Sequence, residues 1–267
     1  MKKEIKGIIL AGGMSTRLFP STSVIAKPLL PVYDRPMIFY PLNILISGGI
    51  TDILVIVPPD HSGAFINLLG SMFDKYGIKI SFKVQRVARG TADALILGEN
   101  HVDENNVALI FGDNIFEYNF AEEIKSFESG CRIFAKKVSD PERFGVIKLN
   151  AQGEPEAIVE KPQEFVSDLA VAGFYLFDHR AVEVAKNLKP SSRGELEIVD
   201  VQNFYLKNGE LQAKIFDGAW LDAGTHDSLL DSSMMVRERG ISKKFHPIME
   251  EATKEFCENY KKLIKKF

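Results

Sequence analysis

Near its start the chain reads Leu10-Ala11-Gly12-Gly13-Met14-Ser15-Thr16-Arg17-Leu18, two adjacent glycines followed by two hydroxyls and an arginine. Adjacent glycines let backbone N–H groups approach a ligand closely, and a guanidinium adds a charge-assisted fork for phosphate oxygens. Such a loop suits a triphosphate. Lys27 brings a second cation, on a stretch stiffened by Pro28 and Pro31. Far downstream, Leu109-Ile110-Phe111-Gly112-Asp113-Asn114 and Trp220-Leu221-Asp222-Ala223-Gly224 each end an apolar stretch in a carboxylate. Asp113 and Asp222 are hard oxygen donors of the kind Mg²⁺ accepts in small number, leaving room for water and substrate phosphates. Each feature alone has a plainer reading. A glycine pair after a strand makes structural turns, a lone lysine is commonly just solvated, and an aspartate after a strand turns or caps the chain. Neither GxGxxG nor GxxxxGK[ST] occurs here, which argues against a nicotinamide oxidoreductase and a Walker-type loop.

These residues need a scaffold, and the hydrophobic pattern predicts one. Short β-branched runs at 5–10, 53–57, 78–84 and 107–111 alternate with helical segments at 36–47, 61–69 and 91–99, the pattern of a doubly wound parallel sheet. Beyond residue 130 the strands at 132–138, 145–149, 157–159 and 171–177 follow one another with few helices, which predicts an antiparallel extension. Helices at 181–188 and 197–207, a strand at 211–216 and a helix at 225–239 complete the main body. The stretch from Lys243 predicts one more amphipathic helix.

The segments Gly12-Gly13-Met14-Ser15-Thr16-Arg17-Leu18-Phe19-Pro20 and Lys27-Pro28-Leu29-Leu30-Pro31-Val32, with 33–42 after them, resemble the signature of the sugar-1-phosphate nucleotidyltransferases, nearest to the glucose-1-phosphate thymidylyltransferases. The resemblance implies an α/β, Rossmann-like nucleotidyltransferase fold, with a catalytic domain at 1–239 (nucleotide-binding half 1–130, sugar-binding half 131–239) and a helical tail at 240–267. It implies transfer of a nucleoside monophosphate from dTTP to α-D-glucose 1-phosphate with release of pyrophosphate. Arg17, Lys27, Asp113, Lys161 and Asp222 become the catalytic set, with Asp113 and Asp222 as Mg²⁺ ligands. Leu10, Ala11, Gly12, Gly13, Ser15, Thr16, Arg17, Gln85, Gly90 and Thr91 would hold the nucleotide, Gln85 reading the base. Asn114, Phe144, Gly145, Glu160, Lys161, Val171, Ala172, Gly173 and Trp220 would hold the sugar phosphate. Trp220 has a core role as an equal alternative. The segment from Arg193 to Ile198 also matches. The sequence departs from the nearest group at Pro28 and at Thr91-Ala92-Asp93, and thymine and uracil differ by one methyl, so UTP or another nucleoside triphosphate stays open as the donor. A non-catalytic sugar-nucleotide-binding subunit is the rival from another class.

Composition narrows the setting. With 267 residues, 45% of them hydrophobic, the chain can bury one substantial core. A net charge of -3 offers no general attraction to nucleic acid or an anionic membrane, so phosphate binding must be local. No uncharged apolar stretch approaches the roughly 18 residues of a bilayer span. Cys131 and Cys257 form no metal or CxxC pattern, and the histidines lack zinc-ligand spacing. The expectation is a cytoplasmic enzyme, a homo-oligomer, with no nucleic-acid or membrane partner.

Overall fold

The computed structural model describes residues 3–13 and 15–264, so Met14 of the glycine-rich loop lies outside the described residues. Among the described residues nine strands form one sheet: β1 (Ile5–Leu10), β2 (Asp52–Val57), β3 (Lys79–Val84), β4 (Asn106–Phe111), β5 (Cys131–Lys137), β6 (Gly145–Leu149), β7 (Pro155–Glu160), β8 (Leu169–Phe177) and β9 (Leu211–Ile215). The order β3-β2-β1-β4 is parallel throughout, and β8 adds to β4 in the antiparallel sense. β5 pairs with the opposite edge of β8 and carries β9 in parallel on its outer side. β6 joins β8 at one bridge, Ala170 to Val146, and β7 pairs with β6. The sheet is therefore mixed α/β, parallel in its first half and antiparallel in its extension.

The two-residue period of each strand sends alternate side chains to opposite faces. Ile9, Ile53, Val55, Val57, Ala108 and Ile110 enter one core with helix Phe39–Ser47. Ile8, Leu54, Ile56, Val107 and Leu109 enter the other with helices Arg180–Lys186 and Ile198–Lys207. Both faces being covered explains why the central strands are almost continuously apolar.

Two expected helices differ in detail. The 91–99 segment forms two short helices, Asp93–Leu97 and Glu99–Val102, broken at Gly98, where a Cβ would come within 2.4 Å of Ile8. The 36–47 helix starts only at Phe39, because Pro36 belongs to a two-strand pairing of Pro31–Val32 with Arg35–Pro36. The last helix, Pro247–Ile264, packs onto the main core through Met249 and Ala252. Arg35 ties it down, donating from Nη2 to both carboxylate oxygens of Glu250 (2.8 and 3.1 Å) while lying over the Phe245 ring.

Under the first core sits an aromatic cluster centred on the fully buried Phe120, whose ring meets Phe116, Tyr118, Phe134, Phe174 and Phe216 at centroid distances of 4.6 to 5.4 Å. Phe120→Ala should lower unfolding free energy by about 3–5 kcal/mol, measured by urea denaturation; a loss below about 1 kcal/mol would show that the cluster collapses around the gap.

Candidate active site

The strand order reverses between β1 and β4, and in an open α/β sheet such a reversal leaves a crevice beyond the carboxyl ends of the strands. Leu10 of β1 lies beside Phe111 of β4, so the loops leaving these strands meet. The Gly112 N–H donates to the Leu10 carbonyl at 2.9 Å, which holds Asp113 against the glycine-rich loop. A short pairing that the hydrophobic pattern did not reveal supplies the second carboxylate: Asn114–Phe116 runs antiparallel to Trp220–Asp222, placing Asp222 opposite Asn114. From the turn Lys27–Leu29, the buried Lys27 inserts its ammonium between them. Its Nζ donates to Asp113 Oδ2 at 2.6 Å and stands 3.5 Å from Asp222 Oδ1. Arg17 reaches the same corner, for a Cβ on Gly224 would lie 3.1 Å from its guanidinium.

The electrostatics of this corner are lopsided. Burial pushes the Asp113 carboxyl up, but the Lys27 charge and the hydrogen bonds from Lys27 and Asn114 outweigh it and hold Asp113 below the usual carboxylate range. Burial, then the charge of Asp113, pushes Asp222 above that range despite Lys27 and Arg17. One ammonium thus underserves two carboxylates, a setting that a divalent cation relieves. Among the described residues no group of three or more His, Cys, Asp or Glu side chains could hold a metal ion. Asp113 and Asp222 offer two hard oxygen donors, a set that fits an ion completing its shell with water and phosphate oxygens.

Asn114 knits this corner to Trp220 and to β8. Its Nδ2 donates to Asp113 Oδ1 (2.9 Å), while its Oδ1 accepts from Trp220 Nε1 (2.7 Å) and the Gly173 N–H (3.2 Å). Gly173 lies on the stretch of β8 between its bridges to β6 and β4, where a Cβ would meet Phe111 at 2.5 Å. A cavity of about 230 Å³ opens there. Arg17, Asp113, Asn114, Phe144, Gly145, Glu160, Lys161, Val171, Gly173, Trp220, Asp222 and Thr91 all line it. Phe144 and Trp220 form one wall, with ring centroids 4.9 Å apart. Ala172 is buried with its side chain in the core on the other face of β8.

Of the remaining expected nucleotide residues, Leu10 ends β1 and Ala11 is buried, its N–H donating to Ile56. Gly13 and Ser15 adopt positive φ (106° and 43°), and Gly13 faces open space. Thr16 and Arg17 begin the short turn Thr16–Leu18. Gln85 is buried below the loop, its Oε1 so close to Gly12 that a Cβ there would lie at 2.2 Å. Gly90, at φ 116°, packs against the backbone of Leu196, which leaves no room for a side chain. Thr91 Oγ1 accepts from the Ile198 N–H at 3.1 Å. These contacts join the 85–91 segment to the 196–198 segment.

Other lining residues had no assigned site role in the sequence, among them Arg143, Arg193, Glu197 and Gln202, although the segment from Arg193 to Ile198 carried part of the resemblance. Arg193 sits in a turn closed by the Gly194 N–H on the Ser191 carbonyl, with Gly194 at φ 77°, and this turn brings Arg193, Glu195 and Glu197 together on the cavity wall. Arg193 stands 3.5 Å from Glu160 and 3.4 Å from Glu197. Burial, then the charge of Glu197, pushes the Glu160 carboxyl above its ordinary range, and Arg193 pulls it back. Gln202, one helical turn beyond Ile198, is fully buried, and neither end of its amide has a hydrogen-bond partner among the described residues.

Residues 6–239 match the family model described as nucleotidyl transferase. The chain is 49% identical over 239 residues to a glucose-1-phosphate thymidylyltransferase of Neisseria meningitidis serogroup A, covering 87% of this chain and 83% of that one. It is 44% identical over 238 residues to the protein of that name from Mycolicibacterium smegmatis, covering 87% and 82%. Among solved structures, a Bacillus anthracis protein described as a glucose-1-phosphate thymidylyltransferase, in complex with a sucrose, superposes with a TM-score of 0.84 at 40% identity, covering 92% and 99% of the two chains. A UDP-glucose pyrophosphorylase complexed with UDP-glucose superposes with a TM-score of 0.78 at 21% identity, covering 88% and 99%, a likeness of fold.

The acid–base arrangement around Arg193 carries a pH prediction. Arg193→Ala removes a cation that stabilises ionised Glu160, so the Glu160 titration should move to still higher pH, followed by carboxyl ¹³C NMR. A midpoint that stays in place or falls would show that Arg193 does not act on this carboxylate.

Proposed function

The chain belongs to the nucleotidyl transferase family, and we propose that it transfers a thymidylyl group from dTTP to α-D-glucose 1-phosphate, giving dTDP-glucose and pyrophosphate. Enzymes of this family generally use a divalent metal. In our reading the metal is Mg²⁺, held by Asp113 and Asp222; when bound it neutralises phosphate charge and orients the triphosphate. The observation that carries this assignment is the shared approach of Lys27 to both carboxylates at the edge of a cavity that Arg17 and Lys161 also line.

The chain's own groups divide the remaining work. The glycine-rich loop takes the triphosphate, with Arg17 supplying charge and the open face of Gly13 allowing close approach. Gln85 reads the base, while Gly90 and Thr91 hold the base pocket against the 196–198 segment. The sugar lies against Phe144, Gly145, Val171, Gly173 and Trp220. Glu160 accepts hydrogen bonds from its hydroxyls, and Lys161 holds its phosphate beside Asn114. One oxygen of that phosphate then attacks the α-phosphorus in line with departing pyrophosphate. The attacking oxygen is already anionic at neutral pH, so the reaction needs no general base. Lys27 and Arg17 stabilise the charge that spreads over the transferring group and the leaving pyrophosphate. With no membrane-spanning helix among the described residues and both cysteines unpaired, we place the reaction in the cytoplasm.

Asp113→Asn keeps the size of the side chain and removes its charge. Turnover of dTTP and glucose 1-phosphate, followed by pyrophosphate release at saturating Mg²⁺, should fall about a hundredfold or more, on the order of 3 kcal/mol, with an unchanged circular dichroism spectrum. Near-normal turnover would remove Asp113 from the reaction.

A further inference from the structure

We propose that Asp93 is a positioning residue for base selection: it fixes which end of the Gln85 amide faces the nucleotide, and so favours pyrimidine triphosphates with an N3–H over cytosine. The inference rests on the reading of Gln85 as the base-reading residue and adds what determines its selectivity.

Asp93 begins helix Asp93–Leu97 and is 1% exposed. Its Oδ2 accepts from Gln85 Nε2 at 3.0 Å, and its Oδ1 accepts from Arg89 Nη2 at 2.6 Å. A carboxylate gripped on one oxygen by a guanidinium has no proton to donate through the other. Only the amide nitrogen of Gln85 can face it. A flipped amide would set oxygen against oxygen in a buried place, the costliest arrangement for polar groups. With nitrogen committed to Asp93, Oε1 is turned toward Gly12 in the triphosphate loop, where it takes no hydrogen bond from a described residue. Glycine at position 12 leaves the space that any side chain would fill.

An acceptor held this way matches the N3–H of thymine or uracil. Cytosine presents an acceptor at N3 and would leave two acceptors facing each other. A site built around one polar group rejects a ligand that cannot satisfy it far better than an apolar pocket rejects an extra methyl. Asp93 therefore separates cytosine from the other two pyrimidines and leaves thymine and uracil undivided.

The test compares kcat/KM for dTTP, UTP and dCTP with glucose 1-phosphate in the wild type and in Asp93→Asn, whose amide can donate as well as accept and frees Gln85 to turn over. The dTTP-to-dCTP ratio should fall by about tenfold or more, dCTP gaining while dTTP loses, and UTP should follow dTTP. A ratio that holds within about twofold while both nucleotides weaken together would overturn the proposal and leave Asp93 a purely structural role. Should Asp93→Asn fail to fold, Arg89→Ala serves instead, since that side chain is 53% exposed. Loosening Asp93 there should reduce the ratio by about threefold, and an unchanged ratio overturns the proposal. A wild type that turns over neither dTTP nor UTP would overturn the underlying reaction as well, an outcome separate from an Asp93 variant that keeps its selectivity.

Discussion

Lys27 stands between two carboxylates that would otherwise repel one another across a narrow gap, and the geometry of the site depends on that contact. Its ammonium meets Asp113 at 2.6 Å and Asp222 at 3.5 Å, from a side chain only 6% exposed. Lys27 alone does not satisfy both acids: it holds Asp113 below the usual carboxylate range, while burial and the Asp113 charge push Asp222 above it despite Lys27 and Arg17. The corner thus keeps a residual demand for positive charge on the side that faces the cavity. In the proposed reaction a metal–triphosphate complex would answer that demand, the cost of assembling like charges being met before any substrate arrives.

Holding this corner rigid takes more than the ion pair. Asn114 uses its amide nitrogen on Asp113 and its oxygen on both Trp220 and Gly173, so the carboxylate, the aromatic wall and the free stretch of β8 are tied together. Below them the Phe120 cluster packs the same short strand pair from the core side. The turn carrying Lys27 is secured in its own way. It leads into the 31–36 pairing, and Arg35 there is clamped by Glu250 and Phe245 near the end of the chain. The C-terminal helix accordingly supports the loop that delivers the cation, although it contributes nothing to the cavity wall.

A second constraint joins the two halves of the cleft. The Leu196 N–H donates to the Arg89 carbonyl, the Ala92 N–H to the Leu196 carbonyl, and the Ile198 N–H to Thr91 Oγ1. Two segments on the same face of the sheet, 89–92 and 196–198, are thereby stitched together beside the cavity. Gly90 permits the stitch, since a Cβ would strike the Leu196 backbone at 2.5 Å. In the proposed reaction this would set the base and sugar contacts at a fixed separation, as a reaction between two bound phosphates requires.

Much of this was legible in the linear chain because it depends on local pattern. Period-two and continuous apolar runs marked the strands, glycines closed the helices, and Gly12-Gly13, Arg17, Lys27, Asp113 and Asp222 stood out by residue type at the ends of apolar stretches. What the chain order could not show is which separated segments touch. The pairing of Asn114–Phe116 with Trp220–Asp222 involves strands too short for a periodic signal, yet it brings Asp222 to Asp113. The start of the first long helix shifted from Pro36 to Phe39 because a tertiary pairing claimed Pro36, and the bond from Gln85 to Asp93 depends on how the chain turns between β3 and its following helix. Sequence determined the chemistry available, since side-chain type and strand period are properties of neighbouring residues. Tertiary structure alone decided which charges meet and which end of the Gln85 amide meets Asp93, because those outcomes follow from how the folded chain places the groups and from electrostatics that act through space.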